Sequence, residues 1–537
     1  MASSTANPPA RIQGPGDRDG RVSSRLILIV LVVLAAICIA EVLLSRHWPF
    51  RENAVLENLR ESSDSQVTVH SFRETFFPSP GCILDGVVFV HGNGAAKPLI
   101  TIDRLIVQGN YAELLAHRVR RIVAQGLHIS IPPLGTGSAF HTTQSEIKVD
   151  EFVANGATLE FASKDSERQP LVFNIHEASL RDVEATAAFS YRIKVHIPEP
   201  PAEISTQGKF GAWNKDSVGE TPISGEYTFE NADLSVFDGI AGTLSSKGKF
   251  EGKLAHIDIS GNTDTPDFEV KSGKHPMRLR SQFSAYVDAT HGDTFLKRVD
   301  ADFWNTHVVA AGSIARSADG KGKTALIDLE SGKARIQDLL LMFVTAKQAP
   351  MAGAVTFQAH AEIPSGPQEF LKKVKLRADF GVAGGRFSDK TTQQDVDKLS
   401  AGALGEKQSS DPETVLTNLK GHEDLRNGVV AFNDITFHIP GAGSRMHGTY
   451  NLINERIDMR GQLRVDTEIS NTQTGAKSLL LKVIQPFFKR KKKGQIVPVR
   501  LGGTYEHPTF GLDLNDKRAQ LRPLHPTDRQ DNDRPKQ

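Results

Sequence analysis

The sequence predicts a mainly β protein: an N-terminal transmembrane helix followed by an elongated, curled antiparallel β-sheet, groove-like or sandwich-like, with a few short helices. Three observations predict it. A single unbroken apolar run, Leu26 to Ala40, lies near the start of the chain. From about residue 147 onward, apolar and polar residues alternate, segment after segment. Stretches with helical spacing are few: Tyr111–Val123, Ile336–Lys347, parts of Thr391–Leu419, and Lys477–Phe488.

The apolar run LILIVLVVLAAICIA is interrupted by Glu41 and resumes through Leu44. A helix needs roughly 20 largely apolar residues to cross the hydrocarbon of a bilayer, and Leu26 to Leu44 reaches that length. Arg11, Arg18, Arg21 and Arg25 precede it, which favours a cytoplasmic N-terminus, and Trp48 follows it as an interfacial anchor. A cleaved signal peptide would have a shorter core and a small-x-small site, which Cys38-Ile39-Ala40 imitates poorly. The expected topology is therefore a membrane anchor at 26–44 with the bulk of the chain outside the cytoplasm.

Composition narrows the function classes. Of 537 residues, 39% are hydrophobic and 24% charged, so the chain can build packed cores. The net charge is only +1, which lacks the basic field that captures nucleic acid. The two cysteines, Cys38 and Cys82, cannot make a disulfide framework, because Cys38 lies in the apolar run. The 18 histidines show no HExxH motif or metal-ligand spacing, and no phosphate-binding loop or nucleophile elbow is present. No catalytic, metal or cofactor site is expected. Gly381 to Gly385 follows a strand-like segment but opens no apolar helix, and reads as a turn.

Beyond the anchor, Asn53 to Arg60 has the spacing of a short helix. Cys82 to Val90 reads as a strand, as do the alternating residues around Ile100–Val107 and Leu127–Ile131. The period-two runs follow. Phe189, Tyr191, Ile193, Val195 and Ile197 alternate with Ser190, Arg192, Lys194 and His196. Met277, Leu279, Phe283, Ala285 and Val287 alternate with Arg278, Arg280, Gln282, Tyr286 and Asp288. Val355 to Ile363 and Ile457 to Ile469 repeat the pattern. Successive side chains of a strand point to opposite faces, so each run has one apolar and one wet face. The polar segment 388–425 reads as two short helices inserted among strands.

The apolar faces must be covered. Either the sheet closes on itself as a sandwich or barrel, or it stays open as a trough whose lining meets something apolar, which phospholipid chains would satisfy. In the trough reading the lipid-facing residues are Ile193, Val195, Leu279, Phe283, Val287, Phe357, Leu463 and Val465, with neighbours such as Lys194 and Arg280 turned to water. A second feature is the basic run after an apolar segment: Phe487, Phe488, Lys489, Arg490, Lys491, Lys492 and Lys493. It reads either as a core-packing helix followed by a solvated loop or as a contact with an anionic membrane surface.

Several stretches resemble the AsmA-like family of bacterial envelope proteins. Gly242 to Leu244 (GTL), Lys247 to Gly252 (KGKFEG), His256 to Gly261 (HIDISG) and Thr265 to Val270 (TPDFEV) are similar to its short, glycine-punctuated strands. Asn427-Gly428, Phe437 to Pro440 (FHIP), Gly448 to Tyr450 (GTY), Asp458 to Gly461 (DMRG), Pro498 to Thr504 (PVRLGGT) and Pro508 to Phe510 (PTF) resemble its C-terminal region. With the anchor, the likeness covers about residues 25 to 515. It implies a non-enzymatic, inner-membrane-anchored periplasmic β-groove protein of outer-membrane biogenesis or phospholipid transport. The partners so implied are membrane phospholipid, the inner membrane through the N-terminal helix, or outer-membrane assembly proteins, the last favouring an assembly factor or scaffold. The expected organisation is a cytoplasmic tail (1–25), the transmembrane helix (26–44), an α+β region (50–135), a repetitive antiparallel region (136–380), an AsmA-like C-terminal region (381–515) and a disordered tail (516–537).

Overall fold

The computed structural model describes residues 49–513 except 64, 91–98, 112–117, 132–147, 162–170, 185, 199, 215–216, 318–321, 367, 391–392, 395, 398–399, 401–415, 466–495 and 505–507. The chain enters at Pro49 and forms helix α1 (Glu52–Ser63). Strands β1 (Gln66–Thr68), β2 (Ser71–Thr75), β3 (Gly81–Val90), β4 (Ile100–Gln108), β5 (Arg118–Gln125) and β6 (His128–Ile131) follow. Next come β7 (Lys148–Phe161), β8 (Leu171–Val183), β9 (Phe189–Pro198), β10 (Pro201–Phe210), β11 (Pro222–Asp233), β12 (Ile240–Ala241), β13 (Thr243–Lys253), β14 (His256–Val270) and β15 (Met277–Asp288). Then β16 (Asp293–Phe303), β17 (Thr306–Arg316), β18 (Lys323–Arg335), helix α2 (Ile336–Leu341), β19 (Met351–Ile363), helix α3 (Phe370–Lys373) and β20 (Lys375–Phe387). The last strands are β21 (Thr417–Arg426), β22 (Val429–Ile439), β23 (Ala442–Asn451), β24 (Arg456–Val465), β25 (Ile496–Thr504) and β26 (Pro508–Leu512).

All 26 strands are linked by pairing into one sheet. From β7 to β26 every strand pairs antiparallel with its neighbour in sequence, only the two-residue β12 standing aside on β14. Alternating segments of about ten residues joined by short turns leave little choice but this meander. Asn427 and Gly428, with φ of 52° and 74°, make the two-residue turn between β21 and β22. Positive φ at both central positions matches the twist of the flanking strands and selects Asn-Gly. The exception to the meander lies early: β5 and β6 both pair antiparallel with β4 and parallel with β7.

Helical spacing misled at two places, and a glycine run at a third. Residues 118–123, expected to be helical, belong to strand β5, where β4 and β7 pair with the backbone from both sides and override the helical spacing of Leu114, Leu115, Val119 and Ile122. Residues 417–425 form most of β21 rather than a helix, although residues 393–394, 396–397 and 400 are helical. Gly381 to Gly385 is no turn but part of β20, with Gly384 at φ 66° where the pairing with β19 shifts. The helices expected at 53–60 and from 336 are present as α1 and α2. The segment 477–488 and the apolar run 26–44 lie outside the described residues. Among the described residues, no helix is long and apolar enough to cross a membrane.

Two cores sit at opposite ends of the strand order. In the first, Val55, Leu56 and Leu59 of α1 pack with Leu84, Val87, Leu105, Ala124 and Ala154. The second gathers Val355, Val382, Ile435, Met446, Met459, Leu463 and Val497, with Ile336 and Leu339 of α2 and Val396 packed against it. Burying each large aliphatic side chain stabilises the fold by about 1.5–3 kcal/mol, so these two regions carry most of the stability.

Candidate functional site: the uncovered apolar face

Directly opposed residues in a ladder share a face, so the pairing register traces one face across the sheet. The line begins at Phe72 and runs through Leu84, Leu105, Ala124, Ala154, Ala178 and Ile193. It continues through Thr206, Tyr227, Gly248, Gly261 and Phe283 to Val299, Ala310, Leu329, Ala359 and Ala378. Glu423, Phe432, Gly448, Met459, Leu501 and Phe510 complete it. Every strand but β1, β6 and β12 contributes, and Glu423 is the only carboxylate or cation in the line.

All eight groove candidates fall on this face. Ile193 and Phe283 lie in the line itself, and Val195, Leu279, Val287, Phe357, Leu463 and Val465 lie an even number of residues from it along their strands. Their burial divides them. Ile193, Val195, Leu279, Phe283, Val287 and Phe357 are half-buried: Ile193 packs against the first core, Phe357 against the second, and Leu279 and Phe357 against a small cluster of Met277, Phe303 and Val308. Leu463 and Val465 are each 2% exposed, members of the C-terminal core. Lys194 and Arg280, one residue from Val195 and Leu279, are exposed on the opposite face. The run Phe487 to Lys493 and the anchor residues Leu26 and Leu44 lie outside the described residues.

Across β10–β14 the described residues form no buried cluster comparable to the two end cores. Isolated positions are covered, such as Ile257 and Ala232, but Ile204, Phe229, Phe250 and Ile259 stay half-exposed. A shallow cavity of about 650 Å³ follows the same stretch, bounded by Ile193, Thr206, Tyr227, Gly248, Gly261 and Phe283 and by polar neighbours along the strands.

Aromatic rings lie along this face over glycines. Tyr227 opposes Gly248, which opposes Gly261. A Cβ on Gly248 would stand 2.9 Å from the Tyr227 ring, and one on Gly261 would stand 2.8 Å from its hydroxyl. Tyr191 opposes Gly208, which opposes Gly225, and a Cβ on Gly225 would lie 2.7 Å from the Tyr191 hydroxyl. The same arrangement thus occurs twice, on β9–β11 and on β11–β14. Without a Cβ beneath it, a ring spreads across two neighbouring strands. The hydroxyls remain satisfied: Tyr227 Oη lies 3.1 Å from Ser246 Oγ, and Tyr191 Oη donates to the Ser224 carbonyl at 3.4 Å. Sequence reading missed both, since only the register brings these residues together.

The opposite face is a field of ion pairs. Arg278 donates to Asp264 at 2.8 Å, Arg298 to Asp300 at 2.7 Å, and His196 lies 2.7 Å from Glu203. Hydrogen bonds from Arg278 hold the Asp264 carboxyl below its ordinary value. Pairs this exposed contribute little stability, and their main effect is to keep that face wet. The two faces therefore differ in kind as well as in burial.

Glu423 is the group that sequence reading passed over. It faces Ala378 and Phe432 across the ladder, and burial pushes its carboxyl up to about 7. Its signal was a charged residue at an apolar-face position, visible only once the register of β21 was known. Cys82 is fully buried and a free thiol, pushed up to about 12 by burial and then by Glu74. Among the described residues no group of three or more His, Cys, Asp or Glu could hold a metal ion.

These features define a class: a single-sheet β-meander with two covered ends and a half-exposed apolar middle. No family model matches the chain, and no curated protein or solved structure matches it either.

Proposed function

We propose that this is a non-enzymatic, inner-membrane-anchored periplasmic protein of envelope biogenesis that carries phospholipid toward the outer membrane. In this reading the sheet curls so that its apolar face lines a trough, and acyl chains lie along the half-exposed residues Ile193, Val195, Leu279, Phe283, Val287 and Phe357. The observation that carries it is the face left without a core across β10–β14, which lies in register between Ile193 on β9 and Phe283 on β15 and is continuous with both covered ends. A contiguous apolar surface left open in water marks a binding site, and acyl chains fit one that is long and whose few hydroxyls, on Tyr191, Thr206 and Tyr227, are already hydrogen-bonded within the sheet. Leu463 and Val465 leave the site, since they belong to a packed core.

Photo-crosslinking residues at 279, 283 and 287, with 280 as control, test the reading in cells. Lipid adducts are expected at the first three positions and not at 280; equal labelling at all four, or none in folded protein, overturns it. A second reading rests on the open edge of the sheet. Among the described residues, strand β26 pairs only with β25 and begins with Pro508, and a free edge can accept a client strand. An assembly factor of this kind would crosslink to unfolded outer-membrane proteins through residues 508–512 instead of to lipid.

A further inference from the structure

The most exposed large hydrophobic residue of the described chain is Phe77, at 90%. Its neighbour Phe76 is 57% exposed and Tyr111 is 49% exposed. They form one cluster, because the Tyr111 hydroxyl donates to the Phe76 carbonyl. Both lie at the same end of the strands: Thr75 ends β2 opposite Gly81, which opposes Gln108 at the end of β4. The chain also enters the fold here. Phe50, 5% exposed, packs so closely on Gly109 that a Cβ there would stand 2.6 Å from the ring. Gly109 in turn donates its N–H to the Pro80 carbonyl at 2.7 Å, at the close of the loop that carries Phe76 and Phe77. Arg51 and Arg120 are exposed nearby, Arg120 one residue beyond the pairing of Arg121 with Gln108.

We propose that Phe76, Phe77 and Tyr111 form a docking tip that inserts into the headgroup region of the bilayer in which residues 26–44 are anchored. The inference rests on that anchor reading and adds a second, independent contact. Only a few residues separate Leu44 from Phe50, so the tip is held within a short reach of the bilayer surface. Tyr111, with one apolar and one polar end, belongs to the side chains that concentrate at that depth, Phe76 and Phe77 add apolar rings beside it, and Arg51 and Arg120 suit the anionic headgroups. Two contacts, the anchor and the tip, fix the rotation of the sheet about the anchor. They present the first strands of the apolar line to the membrane in one orientation.

The test uses the full chain reconstituted into phosphatidylethanolamine–phosphatidylglycerol vesicles containing spin-labelled lipid. Native Cys38 carries an environment-sensitive fluorophore in one sample, while Cys82 stays unlabelled because its thiol is buried. With Cys38→Ser, the fluorophore moves to Ser79→Cys beside the tip, or to Val236→Cys, 45% exposed in the middle of the chain. Quenching of about twofold is expected at 38 and 79 and none at 236. Phe76→Ser with Phe77→Ser should abolish quenching at 79 without moving the melting temperature. Quenching at 38 but not at 79 overturns the docking tip and leaves the anchor standing. No quenching at either site overturns both, and equal quenching at 79 and 236 reduces the contact to unspecific adsorption and overturns the tip.

Discussion

The strands β19–β25 and the strands β10–β14 carry the same alternation, yet they bury their apolar faces to different degrees. In the first region Leu463, Val465, Val497 and Val499 are 2% exposed or less, in a core against which Ile336 and Leu339 of α2 and Val396 also pack. In the second, Ile204, Phe229, Phe250 and Ile259 are only half-buried, and among the described residues the connections carry nothing longer than the three-residue 3-10 helices Val218–Glu220 and Leu234–Val236. Period-two patterning specifies which face is apolar; insertions between strands decide whether that face is covered. Coverage, not hydrophobicity, separates the core from the candidate site.

The largest expected effect contrasts one residue from each region. Leu463→Asp should cost about 4 kcal/mol or more, because it strands a charge in a packed core. Phe283→Asp should cost less than about 1.5 kcal/mol, because its side chain already meets solvent. Urea denaturation combined with limited proteolysis measures both, and equal costs would erase the distinction between the regions.

A smaller effect sharpens the account of the open face. Gly248→Val places a Cβ 2.2 Å from the Ser260 carbonyl oxygen and under the Tyr227 ring, and should cost about 1–3 kcal/mol. Gly332→Ala, with no atom within 4 Å of the new Cβ, should stay within about 0.5 kcal/mol of the parent. A thermal melt in which both glycines tolerate substitution equally would show that the ring does not need its glycine bed.

The smallest effect is linked to pH. The Glu423 carboxyl is pushed up to about 7 from an ordinary value of 4.5, so the folded chain holds a proton that the unfolded chain releases. Stability should be highest below about pH 4.5, fall as pH rises toward 7, and level off above it. Glu423→Gln should remove that component of the slope and gain about 1–2 kcal/mol at pH 8. Denaturant midpoints of the two proteins from pH 5 to 8 give the answer; parallel curves would mean that Glu423 is solvated.

Much of this fold could be read from residue order. The strands at 189–197, 277–287 and 355–363 stand where alternation put them, and Lys194 and Arg280 face away from their apolar neighbours. The fate of each apolar face could not be read so. Phe283 and Leu463 look alike in sequence, but one is half-exposed and the other buried, because burial depends on what the intervening segments place above them. The Tyr–Gly–Gly pairings depend on register between residues some 13 to 34 positions apart in the chain, fixed by turns whose lengths no local pattern states. Strand β5 was hidden for a related reason: its parallel partner β7 lies beyond an intervening crossover.

The nearest-neighbour pairing from β7 to β26 makes this sheet a ruler. Among the described residues, and β12 apart, each strand from β8 to β25 pairs only with the strand before it and the strand after it, so a hairpin added in the meander lengthens the sheet by about 10 Å, two strand spacings, and alters the pairing only where it enters. Its apolar residues extend the same line if their register keeps the alternation, since a one-residue slip would turn them to the wet face. Span can therefore change in evolution by duplication in pairs of strands, with both covered ends left intact.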